Sequence, residues 1–125
     1  MDKSQKRLGW IFILIFVVVG SITFLMVVES RKSSPGAILY DRHCANCHME
    51  DGAGLGKVIP PLAGADWMQD NQGKLACIIK YGMSGPVVVN GITYDQPMAG
   101  TPELTTGQIA NIINYINNNW GNDLG

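Results

Sequence analysis

Residues 43–50 read His43-Cys44-Ala45-Asn46-Cys47-His48-Met49-Glu50, and they hold two of the chain's three cysteines and both of its histidines. Three kinds of site use two thiols three apart beside an imidazole: a redox dithiol, a metal knuckle and the covalent attachment of a haem. A redox dithiol needs a βαβ setting, and no such strand pattern surrounds this stretch. A zinc knuckle needs two more Cys or His ligands at short spacing. Only Cys77 and His43 remain, and they form no such pair. Haem attachment is what the elimination leaves. Thiols at i and i+3 share one helical face, so each can form a thioether with one vinyl group. The imidazole after Cys47 is then held under the iron as an axial ligand.

Working outward, Ser34-Pro35 has the form of an N-cap and first helical position, and predicts a helix through Tyr40 into the cysteine motif. Residues 49–64 are rich in glycine and proline and predict an extended loop. Asp66 is placed to cap a short helix starting at Trp67. Leu75, Ile78 and Ile79 then recur at helical spacing up to Gly82. Cys77, among these apolar neighbours, is expected to be a buried, inert thiol, without a disulfide partner once Cys44 and Cys47 are in thioethers. His43 is expected to face solvent. Asn90-Gly91 between Val87–Val89 and Ile92–Tyr94 predicts a small type I′ hairpin. Thr105 and Gln108 form a capping-box pattern before Ile109, Ile112, Ile113 and Ile116, which mark one buried helix face. Asn117, Asn118 and Asn119 are poor helix formers and predict fraying. The fold class is therefore mostly α: three to four short helices, long loops and a β-hairpin around too small a core. A buried covalent porphyrin supplies the missing apolar area.

The amino-terminal part is of another kind. Residues 8–28 carry no charged side chain, and a helix of that length spans roughly 30 Å, about the apolar thickness of a bilayer. A cleaved signal peptide is the competing reading, but the apolar run exceeds the usual ~7–15 residues and no small-residue cleavage site follows it. The expected organisation is an anchor over residues 1–28, a linker over 29–34 and a folded domain over 35–125. Six linker residues reach at most about 20 Å, so the domain works near the membrane surface. Lys3, Lys6 and Arg7 before the helix outnumber Arg31 and Lys32 after it, which favours a cytoplasmic amino terminus. Trp10 has the position of an interfacial aromatic. Haem is attached outside the cytoplasm, which agrees with that orientation.

Five of the nine basic and two of the ten acidic residues lie in residues 1–32, leaving four and eight, a formal charge of −4, for residues 33–125. A domain of that sign lacks the basic footprint nucleic acid requires. It suits a protein partner with a basic docking patch.

Residues 35–120 resemble a class I c-type cytochrome. Cys44 and Cys47 match the attachment cysteines and His48 the proximal ligand. The Ile59-Pro60-Pro61-Leu62-Ala63-Gly64 stretch resembles the family's proline loop, which implies a hydrogen bond from His48 Nδ1 to the Pro60 carbonyl. Gly36, Tyr40 and Tyr115 match the glycine and aromatics where the first and last helices cross. The resemblance implies a methionine as the second iron ligand. Met98, shortly before the last helix, has the position of the family's ligand loop, with Met83 as its rival. Met68 reads as a packing residue and Met49 lies too close to His48 to reach the other face. Relatives often have proline after this methionine, whereas here Pro97 precedes it. Trp67 and Tyr94 have two readings, as donors to the haem propionates or as crevice packing.

The function implied is an electron carrier rather than an enzyme, with one covalent haem c, no organic substrate, and iron held by His48 and Met98. The expected setting is the outer, periplasmic face of a bacterial cytoplasmic membrane. Its partners would be a quinol-oxidising complex and a terminal oxidase, or it would be a cytochrome subunit of one such complex. Without the distal ligand, the same site would read as a haem sensor or a peroxidase-like centre.

Overall fold

The computed structural model describes residues 3–32 and 34–125, with side chains described for 7–27 and 34–125. Met1, Asp2 and Ser33, and with Ser33 part of the expected linker, lie outside the described residues. The chain divides into two compact units, the second beginning at Ser34.

The first unit is one helix, α1 (Lys3–Lys32), longer at both ends than the apolar run over 8–28. Residues 29–32, expected as linker, are helical. Glu, Arg and Lys are good helix formers, and no Gly or Pro stands there to stop the helix. Every described side chain from Arg7 to Val27 is exposed, and the apolar ones cover all faces. The hydroxyls of Ser21 and Thr23 donate back to the Val17 and Val19 carbonyls at 2.8 and 3.0 Å. That bonding leaves neither hydroxyl needing water.

The second unit is built from α2 (Pro35–His43), α3 (Ala45–His48), α4 (Asp66–Asp70), α5 (Gln72–Tyr81) and α6 (Thr106–Asn117), with four short strands between α5 and α6. Ser34 caps α2 by accepting from Ala37 N–H at 3.1 Å. α2 crosses α6 at Gly36, where a Cβ would collide with the Asn111 carbonyl oxygen and Tyr115 Cβ. Beside the crossing, Tyr40, Tyr115 and Trp120 form a triangle of rings with centroids 5.0–5.5 Å apart. Buried Tyr40 donates its hydroxyl proton to the Met49 carbonyl at 2.7 Å, and burial raises its pKa well above the usual phenol value.

α6 carries both halves of the capping box: Thr105 Oγ1 accepts from Gln108 N–H, and Gln108 Oε1 accepts from Thr105 N–H at 2.9 Å. Ile109, Ile112 and Ile116 are buried and Ile113 half-buried. The asparagines expected to fray the helix instead finish it. Asn118 and Asn119 side chains donate to the Asn114 and Tyr115 carbonyls, and Asn122 donates to Ile116. These amides satisfy carbonyls that a helix end leaves without partners. Asn117 is buried and exchanges two amide bonds with Gln72 at the start of α5 (2.8 and 3.2 Å).

Two expectations for single side chains fail. Cys77 is exposed, because Leu75 and Ile79 define the buried face of α5 and residue 77 falls about 200° from Leu75 around the helix. His43 is half-buried and faces Glu103 at 3.7 Å instead of pointing into solvent.

Strands β2 (Val87–Val89) and β3 (Ile92–Tyr94) form the expected hairpin, with Asn90 and Gly91 at φ 50° and 76°. A second ladder joins β1 (Gly82–Met83) to β4 (Met98–Ala99). The Met98–Leu104 segment is also tied to α5. Thr101 gives both its N–H and its hydroxyl proton to the Ile79 carbonyl (2.8 and 3.2 Å). The Lys80 ammonium donates to the Pro102 and Leu104 carbonyls, the latter at 2.7 Å.

Gly36→Ala should overpack the α2–α6 crossing and cost about 1–3 kcal/mol. Thermal unfolding of the holoprotein would register this as a drop of roughly 4–8 °C per kcal/mol. Lys80→Met removes two charge-assisted bonds to the distal segment and should cost about 1–3 kcal/mol in the same measurement. An unchanged midpoint would mean the ammonium is merely solvated there.

Candidate functional site

The second unit carries a cleft with almost wholly apolar walls. Cys44 and His48 line one wall and Pro60, Pro61 and Leu62 an edge. Trp67, Met68, Leu75 and Ile79 come from α4 and α5, and Ile116 comes from α6. Met83, Val87, Val89 and Met98 line the strand side.

The cysteine motif is a single helical turn. Cys47 N–H and His48 N–H both donate to the Cys44 carbonyl, at 3.1 and 2.9 Å. Cys44 and His48 therefore face the cleft together, while Cys47 is exposed beside it. Burial, and secondarily the nearby Cys47 thiol, push the Cys44 thiol up to about 11. A nucleophilic redox dithiol needs the opposite shift. Among the described residues no group of three or more His, Cys, Asp or Glu is placed to hold a metal ion. A porphyrin brings four nitrogens of its own and asks the protein for only two further donors.

His48 is buried, and its Nδ1 lies 3.1 Å from the Pro60 carbonyl oxygen. A carbonyl can only accept, so Nδ1 carries the proton and Nε2 keeps its lone pair for a metal. Burial lowers the pKa of His48 while the bond to Pro60 partly opposes the shift, which keeps the ring neutral near pH 7. The loop after the motif makes this contact by folding back. Gly54 N–H donates to the His48 carbonyl, and Leu62 and Ala63 N–H both donate to Gly52. Gly54, at φ 71°, passes so close to the Ile59 and Pro60 carbonyls that a Cβ would strike them.

Met98 and Met83 are direct antiparallel partners, both half-buried and both in the lining. Trp67 is half-buried in the lining. Tyr94 is buried but outside the lining, with its hydroxyl 3.5 Å from the Gly56 carbonyl. Lys80 and Thr101, which hold the Met98 segment, escaped the sequence reading. Their only local signal was proximity to the Gly82 and Gly100 breaks that let two chain segments touch.

A thiol pair, an imidazole with a free Nε2 and a thioether, all at one apolar cleft, fit a covalent haem. The cytochrome c family model matches residues 33–120. Cytochrome c-552 of Thermus thermophilus is 34% identical over 90 residues, covering 69% of this chain and 68% of that protein. The cytochrome c subunit of a quinone alcohol dehydrogenase from Gluconacetobacter polyoxogenes is 37% identical over 100 residues, 78% of this chain but only 21% of the subunit. The gluconate 2-dehydrogenase cytochrome c subunit of Pantoea cypripedii is 33% identical over 99 residues, 75% of this chain and 22% of that subunit. The chain thus spans about a fifth of those dehydrogenase subunits. It belongs to the cytochrome c family as a class I c-type cytochrome with covalently bound haem c, whose CxxCH attachment motif Cys44, Cys47 and His48 fit.

Proposed function

We propose that this electron-transfer cytochrome works while anchored by α1 in a bacterial cytoplasmic membrane, its haem domain on the periplasmic side. In this reading residues 1–28 are the anchor, 29–34 the link and 35–125 the electron-transfer domain. Cys44 and Cys47 carry the thioether bonds, and His48 and Met98 are the axial ligands. The haem supplies a one-electron Fe(III)/Fe(II) couple when bound.

The observation that carries the reading is that His48 and Met98, an imidazole and a thioether, line the same apolar cleft. The Pro60 carbonyl keeps the imidazole in one tautomer and one orientation. The β1–β4 ladder and the Lys80 and Thr101 bonds restrict the thioether side. Donors held this firmly need not move when the charge between them changes. The apolar walls exclude water, which together with a thioether ligand favours the reduced state.

The membrane assignment is supported by the 21-residue apolar span Arg7–Val27 and its internally bonded hydroxyls. Trp10 near one end suits an interface, and the excess of basic residues before the span favours the orientation. The formal charge of −4 on residues 33–125 suits partners with basic docking surfaces. Two of the relatives above are named as cytochrome c subunits of dehydrogenases, one of them quinone-linked. A quinol-oxidising complex as donor and a terminal oxidase as acceptor, or membership of one such complex, fit this chemistry.

Reduced full-length holoprotein should show a c-type absorption spectrum that carbon monoxide leaves unchanged. A prompt shift would mean an open iron, and a sensor or peroxidase-like centre would replace the carrier. Alkaline carbonate washing should leave the protein in the membrane pellet, and protease added to spheroplasts should reach the haem domain. Release into the wash would remove the anchor from the proposal.

A further inference from the structure

Two thioethers from one strand ladder, rather than one, line the cleft that His48 lines. β1 and β4 pair antiparallel with Met83 directly across from Met98. Side chains at such positions leave the ladder on the same face, with Cβ atoms about 4.5–5.5 Å apart. Both are half-buried, and both line the same cleft as His48. Their relation is fixed by backbone contact, because Gly82 packs on the Met98 carbonyl so closely that a Cβ has no room. The bonds from Lys80 and Thr101 hold the chain beyond Met98 against α5, the helix that runs directly into Met83.

Met98 apart, position 83 carries the one flexible side chain in its part of the lining. The neighbouring lining residues Val87, Val89 and Ile79 are branched and stiff. Methionine has three rotatable bonds and a polarizable thioether. It specifies a cavity poorly but lets Sδ sweep several ångströms without backbone movement. Met68, the third methionine in the lining, is held on α4 and buried, away from the ladder.

We propose that Met83 is a reserve distal ligand, able to take the iron position when Met98 does not hold it. The inference rests on His48 and Met98 being the axial pair. One thioether–iron bond replaces another of the same type, so no proton or electron moves and the site stays closed to small ligands. The ladder, by holding the two residues as direct cross-strand partners, makes the exchange a side-chain rotation.

The test uses the full-length holoprotein and three variants, Met83→Leu, Met98→Leu and both together. Leucine conserves volume closely enough to keep the fold, and circular dichroism with the visible band would verify folding and haem attachment. Two readouts apply: carbon monoxide binding to the reduced protein, and the proton NMR signal of a methionine methyl shifted upfield by the haem ring current. Met83→Leu should resemble the parent in both. Met98→Leu should keep one upfield methyl and bind carbon monoxide at least tenfold more slowly than the double variant. The double variant should lose the methyl signal and bind the gas promptly. If Met98→Leu already behaves as the double variant, Met83 is a packing residue and the proposal falls while the axial assignment stands. If Met83→Leu alone opens the site, Met83 is the resting ligand, and the assignment of Met98 falls together with the proposal.

Discussion

Gly36 brings the backbone of α2 against the Asn111 carbonyl of α6, and the position of His48 follows from that contact. α2 runs through His43 directly into the turn that carries Cys44, Cys47 and His48. Any change in the crossing is therefore transmitted to the imidazole. The aromatic triangle beside the crossing has the same effect, since Tyr40 bonds the carbonyl of Met49, the residue after His48. Helix packing, the aromatic cluster and the proximal ligand are one mechanical unit. Its opposite anchor is the amide pair Gln72–Asn117, which fixes the end of α6 to the start of α5.

The two sides of the cleft are built differently. On the His48 side the donor sits on a helical turn, and a loop folded through Gly52 and Gly54 brings the Pro60 carbonyl to it. Met98 sits on a two-residue strand, in a segment held by side-chain bonds to backbone carbonyls around the end of α5. Helical hydrogen bonds fix a position cooperatively. Isolated side-chain bonds, each worth about 0.5–1.5 kcal/mol net or somewhat more when charged, do so separately. Local opening concentrates where such bonds are few. The strand side is accordingly the part of the site whose geometry depends most on individual residues.

What was legible in the sequence was local. The CxxCH stretch, the Ser34-Pro35 start of α2, the Asn90-Gly91 turn and the Thr105–Gln108 box each state their geometry within a few residues, and the structure has all four elements. What was not legible depended on contacts distant in sequence. Two-residue strands have no periodicity to read, so the β1–β4 ladder and the juxtaposition of Met83 with Met98 left no trace. Cys77 has apolar neighbours in sequence, but the helical period turns it away from their buried face. The asparagines after Ile116 were read by propensity alone, which omits the carbonyls their side chains cap. His43 was read without the Glu103 that a distant loop brings to it.

These distant contacts bear on function because an electron carrier needs donors that stay put, and residue type alone does not supply that. A methionine in a glycine-rich segment would be a mobile ligand. Here the same glycine breaks that permit mobility also permit contact. At Gly82 the backbone lies against the Met98 carbonyl, where any side chain would prevent the approach. Lys80, two residues earlier, then reaches over the joined segments to the Pro102 and Leu104 carbonyls, and Thr101 closes on Ile79. The constraint on Met98 therefore comes from the end of α5, a helix that also lines the cleft through Leu75 and Ile79. One helix thus both lines the cleft and holds the segment that carries Met98.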